Sequence, residues 1–110
     1  MNRNESLDLY DLLITATGAE RKGATMPYTS INGHMFSYFT KDDFLALRLP
    51  EPERSLFLGR YQTELVKQYG IVQKEYVVVP EFLLENLAEL QPFFKSSIRY
   101  VNSLKPKKKK

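Results

Sequence analysis

The sequence predicts a two-layer α+β domain with an antiparallel sheet, and three observations carry that reading. Asn32-Gly33 sits between two runs that hold aromatic and β-branched residues, Met26 to Ile31 and His34 to Phe39. Gln73 to Val79 is a further run of this kind, preceded by Gly70 and closed by Pro80. On either side of these runs the apolar residues recur at helical spacing. Strands grouped together with helices flanking them suit a sheet covered by helices.

The elements are read in chain order. Asn4 or Ser6 can cap a first helix running to about Thr17, with Leu9, Leu12, Leu13 and Ala16 as its apolar stripe and Asp8, Asp11 and Thr15 facing away. Gly18 is a natural stop, and 19–25 reads as a loop. Asn32-Gly33 then predicts a two-residue hairpin, because a type I′ turn needs positive φ at both central positions. Phe44 to Leu49 is a third strand that alternates, with Leu45, Leu47 and Leu49 on one face and Phe44, Ala46 and Arg48 on the other. Pro50 ends it, and Pro52 opens a helix to about Tyr61 that exposes Arg54 and buries some of Leu56, Phe57, Leu58 and Tyr61.

Residues 63–69 fit either a helix or a short strand, and Gly70 breaks them. Gln73 to Val79 is a strand on its β-branched content. Pro80 starts another helix, with Leu83, Leu84, Leu87, Ala88 and Leu90 inward and Glu81, Glu85 and Glu89 in solvent. Pro92 is expected to restart a last helix, with Phe94, Ile98 and Val101 inward and Lys95 and Arg99 outward. The expected organisation is one domain over 1–104, followed by a disordered low-complexity tail over 105–110.

Composition excludes several function classes. There is no cysteine, hence no disulfide framework, thiolate metal site or thiol nucleophile, which suits a cytoplasmic protein. No apolar run approaches the roughly 20 residues that span a bilayer, and the polar stretch 1–11 has no signal-peptide core, so no membrane association is expected. The net charge of +3 is a property of the C-terminus: of 16 basic residues, five are Lys105, Lys107, Lys108, Lys109 and Lys110. The remaining 11 face 13 acidic residues, a balance of −2. Those five lysines are the candidates for phosphate contact, giving at most weak binding to nucleic acid without sequence preference.

The chemistry-bearing residues are few. His34 is the only histidine, and Asp42 and Asp43 are its nearest acidic companions in sequence, at a spacing that specifies no metal site. Gly18 and Gly23 have the glycine spacing of a phosphate-binding loop, but Ala24-Thr25 replaces the required lysine step and a helix replaces the required preceding strand. The carboxylates Asp42, Asp43, Glu81, Glu85 and Glu89 read as solvated. No nucleophile–base pair is readable, so no enzyme activity and no cofactor are expected. Tyr28, Phe36, Tyr38 and Phe39 cluster on the hairpin, most of them expected as sheet core. The surface they offer if exposed, Tyr28, His34, Phe36 and Tyr38, is the candidate interaction site.

Gly33-His34-Met35-Phe36, Leu45-Ala46-Leu47-Arg48 and Tyr76-Val77-Val78-Val79-Pro80 together resemble the N-terminal domain of the TfoX/Sxy family, over about residues 7–104. The resemblance implies an α-β(3)-α-β(2)-α order and makes 64–68 the fifth strand. Full-length members of that bacterial family regulate competence genes and carry a second, C-terminal domain, which is not expected in these 110 residues. Ser37 and Tyr38 also stand where paired glycines are often found. The resemblance implies an interaction module without catalysis, regulatory and associated with transcription or competence, with a protein partner or a second copy of itself. The alternative is a small-ligand binder or enzyme with a pocket between sheet and helices, around His34 and the tyrosines.

Overall fold

The computed structural model describes residues 2–23 and 26–105. Helix α1 (Arg3–Ala16) leads into three strands, β1 (Tyr28–Ile31), β2 (His34–Phe39) and β3 (Leu45–Arg48). Helix α2 (Glu53–Arg60) precedes β4 (Leu65–Gln68) and β5 (Ile71–Val79), and α3 (Glu81–Leu84) and α4 (Leu87–Ser103) close the chain. The five strands form one sheet in the order β1-β2-β3-β5-β4, every neighbouring pair antiparallel. This is the α+β class and the element order expected, with the ambiguous segment resolved as strand β4.

The local reasons are those of the sequence, with four corrections. The cap of α1 is Asn2, two residues before the earliest expected, because Asn2 and Glu5 form a reciprocal capping box: Glu5 N–H donates to Asn2 Oδ1 (2.9 Å) and Asn2 N–H to Glu5 Oε1 (3.3 Å). The buried face of α1 is Ser6, Tyr10, Leu13 and Ile14, while Leu12 is 57% exposed. The stripe is turned from the expected one because Tyr10 reaches into the sheet with its hydroxyl. The last two helices break at Asn86, not at Pro92, which lies inside α4. Proline there removes the bond to the Ala88 carbonyl, and both residues are exposed, so that carbonyl faces solvent. Arg54, expected in solvent, is largely covered and donates to the Leu49 carbonyl oxygen at 3.0 Å, while Leu56, one of the residues considered for burial, is 57% exposed.

Helices cover one face of the sheet. The main core between the layers holds sixteen buried residues, among them Tyr10, Leu13, Phe36, Phe39, Leu45, Leu47, Leu49, Phe94 and Val101. Strand β3 shows the expected alternation, with Leu45 and Leu47 in this core and Ala46 fully buried on the opposite face. In β2 the alternation is interrupted. Ser37 pairs with Thr29 and Met35 with Ser30, so Phe36 has no partner on β1, and the resulting bulge turns both Phe36 and Ser37 toward the helices.

The Asn32-Gly33 turn has the expected form, with φ of 56° and 81°. Replacing Gly33 by valine is expected to cost about 1–3 kcal/mol, because a β-branched residue resists positive φ. His34→Ala removes one hydrogen bond at a half-buried position and should cost about 1 kcal/mol or less. Thermal melts of the two variants check this, and a larger fall for His34→Ala would contradict it.

Candidate interaction surface

Strand β5 is not straight. Leu65 pairs with Val77, yet the next residue of β4, Val66, pairs with Gln73, leaving Lys74, Glu75 and Tyr76 without partners on β4. Beyond this offset the two strands continue as a small hairpin, Val66 with Gln73, Lys67 with Val72 and Gln68 with Ile71. Its turn at Tyr69-Gly70 has φ of 53° and 76°. In a flat sheet β4 would lie about 14 Å from β2, three strand spacings away. Instead Val66 is fully buried in one cluster with Tyr38 and Ala46, and Lys41 Nζ lies 4.6 Å from the centre of the Tyr69 ring. The 66–73 hairpin is therefore an arm, bent at Lys74–Tyr76 and folded over the face of the sheet that no helix covers.

The arm divides that outer face. On one side an open hollow of about 230 Å³ is lined by Met26, Met35, Tyr38, Gln68, Tyr69 and Gln73. On the other a trough of about 550 Å³ runs past Phe44, Glu64, Leu65, Lys67, Val72 and Val78. The tip keeps large apolar groups in water: Tyr69 is 83%, Ile71 65% and Val72 48% exposed, and Met26 beside the hollow is 44% exposed.

The bend is gripped from β3, α2 and α4. Arg48 donates to Glu75 Oε1 through Nε (2.9 Å) and NH2 (2.7 Å) and to the Met35 carbonyl oxygen (3.4 Å), while its guanidinium lies over the Tyr100 ring. The Tyr100 hydroxyl donates to Glu75 Oε2, and Arg54 approaches the same oxygen at 3.9 Å. Burial works against the charge on Glu75, but the hydrogen bonds from Tyr100 and Arg48 and the charges of Arg48 and Arg54 outweigh it and hold the carboxyl below its ordinary value. Tyr76 completes the bend: its hydroxyl donates to the Met35 carbonyl oxygen (2.7 Å) and its ring meets Tyr38 edge-on at 5.3 Å. Burial pushes the Tyr76 phenol up to about 12.

A second polar group lies inside the main core. Ser37 Oγ is 2.7 Å from Tyr10 Oη and 2.5 Å from Thr29 Oγ1, and all three residues are fully buried. Burial drives the Tyr10 phenol up to about 12, against the opposing bonds to Ser37 and Thr29. These hydroxyls are out of reach of a substrate and tie α1 to the bulge of β2.

Of the surface expected at Tyr28, His34, Phe36 and Tyr38, two members are corrected. Phe36 is fully buried in the main core, because the bulge directs it at α4, where it meets Phe94 edge-on at 5.5 Å. Tyr38 is 6% exposed, covered by the arm. Tyr28 and His34 are half-buried, and His34 Nε2 is 2.6 Å from the Lys105 carbonyl oxygen. Lys105 itself is exposed, while Lys107, Lys108, Lys109 and Lys110 lie outside the described residues, as do Ala24 and Thr25 of the glycine-spaced loop. Asp43 pairs with Arg3 at 2.5 Å, at the far end of β2 from His34. Glu89 is half-buried rather than solvated. Among the described residues no group of three or more acidic or histidine side chains could hold a metal ion, and no helix is long and apolar enough to cross a membrane.

Compared with protein-family models, curated proteins and solved structures, the chain matches none. The arm, its hollow and the Glu75 grip therefore stand as the features from which function is argued. Sequence reading did not find them. The one available signal was the exposed apolar pair Ile71-Val72 directly after Tyr69-Gly70, which extends a strand beyond the length its neighbours can pair.

Proposed function

We propose that the chain is a non-enzymatic interaction module of the TfoX N-terminal-like kind, and that its partner is a second copy of itself, met through the arm. The observation that carries this is the apolar tip of Tyr69, Ile71 and Val72 standing beside the open apolar hollow of Met26, Met35 and Tyr38. A group of large apolar side chains held in water marks a contact surface. Tip and hollow are adjacent on one molecule, so a two-fold axis beside them brings each tip to the other copy's hollow, the reciprocal arrangement of an isologous dimer. The hollow is lined by apolar and amide side chains without a charge, so two copies that each carry a slightly negative body are not repelled at the contact. At about 230 Å³ it is smaller than the roughly 300–1,000 Å³ of small-molecule sites. A regulatory role near transcription or competence accompanies this reading through the family resemblance alone, and nucleic-acid contact through the terminal lysines is subsidiary to it.

The contact rests on few side chains and belongs with interfaces below about 1,200 Å², which are weak and transient. Sedimentation equilibrium over a range of concentrations is expected to show a reversible monomer–dimer equilibrium that Ile71→Lys shifts to monomer. A chain that stays monomeric at every concentration, or a dimer indifferent to Ile71→Lys, overturns the proposal.

A further inference from the structure

We infer that the 66–73 arm opens as a unit about the bend at Lys74–Tyr76 while the main core stays folded, uncovering Tyr38 and Ala46, and that Glu75 is the latch holding it shut. Four observations converge on this. The three residues of the bend lack β4 partners, and Glu75 and Tyr76 stay paired with β3, Leu49 N–H donating to the Glu75 carbonyl oxygen at 2.9 Å, so a pivot at Lys74 breaks no cross-strand pairing. The arm keeps its own three cross-strand pairs and its own two-residue turn, so it moves without losing its internal hydrogen bonds. Its hold on the outer face is slight: Val66 is the one arm residue in the buried cluster with Tyr38 and Ala46, against sixteen residues in the main core. Elements with few buried apolar contacts open at a lower free energy than the whole domain. Finally, the bend is held to the rest of the domain through one side chain, with Arg48 from β3 and Tyr100 from α4 bonded to Glu75 and Arg54 of α2, paired with Glu51, at 3.9 Å from it.

Opening does not depend on self-association, but it exposes a larger apolar face than the closed arm offers to a second copy. The Tyr38–Tyr76 pair, Ala46, Phe44 and Val78 would then lie together in water.

The absence of cysteine makes an introduced thiol a unique reporter. Ala46 and Leu47 are neighbours on β3, both fully buried, one under the arm and one in the main core. In the full chain, Ala46→Cys is expected to react with a thiol reagent under native conditions on the order of 100-fold faster than Leu47→Cys, which waits for global unfolding. The cavity left by Leu47→Cys speeds global unfolding and so works against this result. Adding Glu75→Gln to each should accelerate labelling of the Ala46→Cys variant about tenfold relative to the Leu47→Cys variant. Val66→Cys reports the same opening from the arm itself and replaces Ala46→Cys if that variant fails to fold. Equal labelling of the arm-covered and core thiols, both following global stability in denaturant, would overturn the inference. Faster labelling that Glu75→Gln leaves unchanged would remove Glu75 as the latch.

Discussion

Glu75→Ala is expected to lower stability by about 2 kcal/mol and the thermal midpoint by roughly 10 °C. The carboxylate is the shared partner of two guanidiniums whose side chains are only 17% and 18% exposed. Removing one partner from a desolvated ion pair leaves the other uncompensated, which costs about 3–5 kcal/mol where burial is complete; here that falls on Arg48, since Arg54 keeps Glu51 at 3.3 Å. Glu75 is 35% exposed, and the smaller figure allows for the water that reaches it. The sign of the pH dependence comes from the direction of its shift. The folded-state value lies below the ordinary 4.5, so the carboxylate contributes its stability above that pH and loses it as pH falls through the folded value. The difference between the wild-type chain and Glu75→Gln should therefore be full at pH 7 and shrink in acid. Denaturant titrations of both proteins at neutral and acid pH measure it. An unchanged difference would mean that the ionised form is not what holds the bend.

Most of the fold was legible because its determinants are local. The Asn32-Gly33 turn, the alternation of β3 and the β-branched run of β5 are each decided within a few residues, and all three stand as read. The features that sequence reading missed are decided at a distance. Arg48 and Glu75 are 27 positions apart, and nothing near either one announces the other. The bend of β5 arises from a three-residue offset against β4, a property of the pair that neither strand shows alone. Phe36 and Ser37 illustrate the same limit. Strict alternation would put them on opposite faces, and the bulge puts both toward the helices. The Asn2 cap is different: Asn2 and Glu5 have the three-residue spacing of a capping box, so that signal was present and local. Pro92 misled because it stands on the exposed side of α4, where the Ala88 carbonyl that loses its donor faces solvent and the rest of the helix is held by its buried face.

Ser37→Ala is expected to be more damaging than Tyr10→Phe, although it removes a smaller side chain. The Ser37 hydroxyl stands between Tyr10 and Thr29, bonded to both. Its removal takes from two fully buried hydroxyls the partner they share and leaves Tyr10 and Thr29 only each other, and an unmet buried polar group costs about 1–3 kcal/mol. A loss of about 2–3 kcal/mol is therefore expected for Ser37→Ala. Tyr10→Phe deletes one end of the chain and leaves Ser37 and Thr29 still paired, so about 1 kcal/mol is expected. Removing the Tyr10 and Ser37 hydroxyls together should cost less than the sum of the two single changes, because the double variant strands only Thr29. Alkaline titration supplies an independent check. The Tyr10 phenol is raised to about 12 from an ordinary 10.0, so it contributes stability that is complete below pH 10 and is lost as pH rises through 12. Tyr10→Phe should blunt the alkaline loss of stability, while Tyr76, raised to about 12 by its own burial, keeps part of it. If Ser37→Ala proves as mild as Tyr10→Phe in denaturant titrations at neutral pH, then water enters beside the bulge of β2 and the three hydroxyls are not the dry tie between α1 and the sheet that their burial indicates.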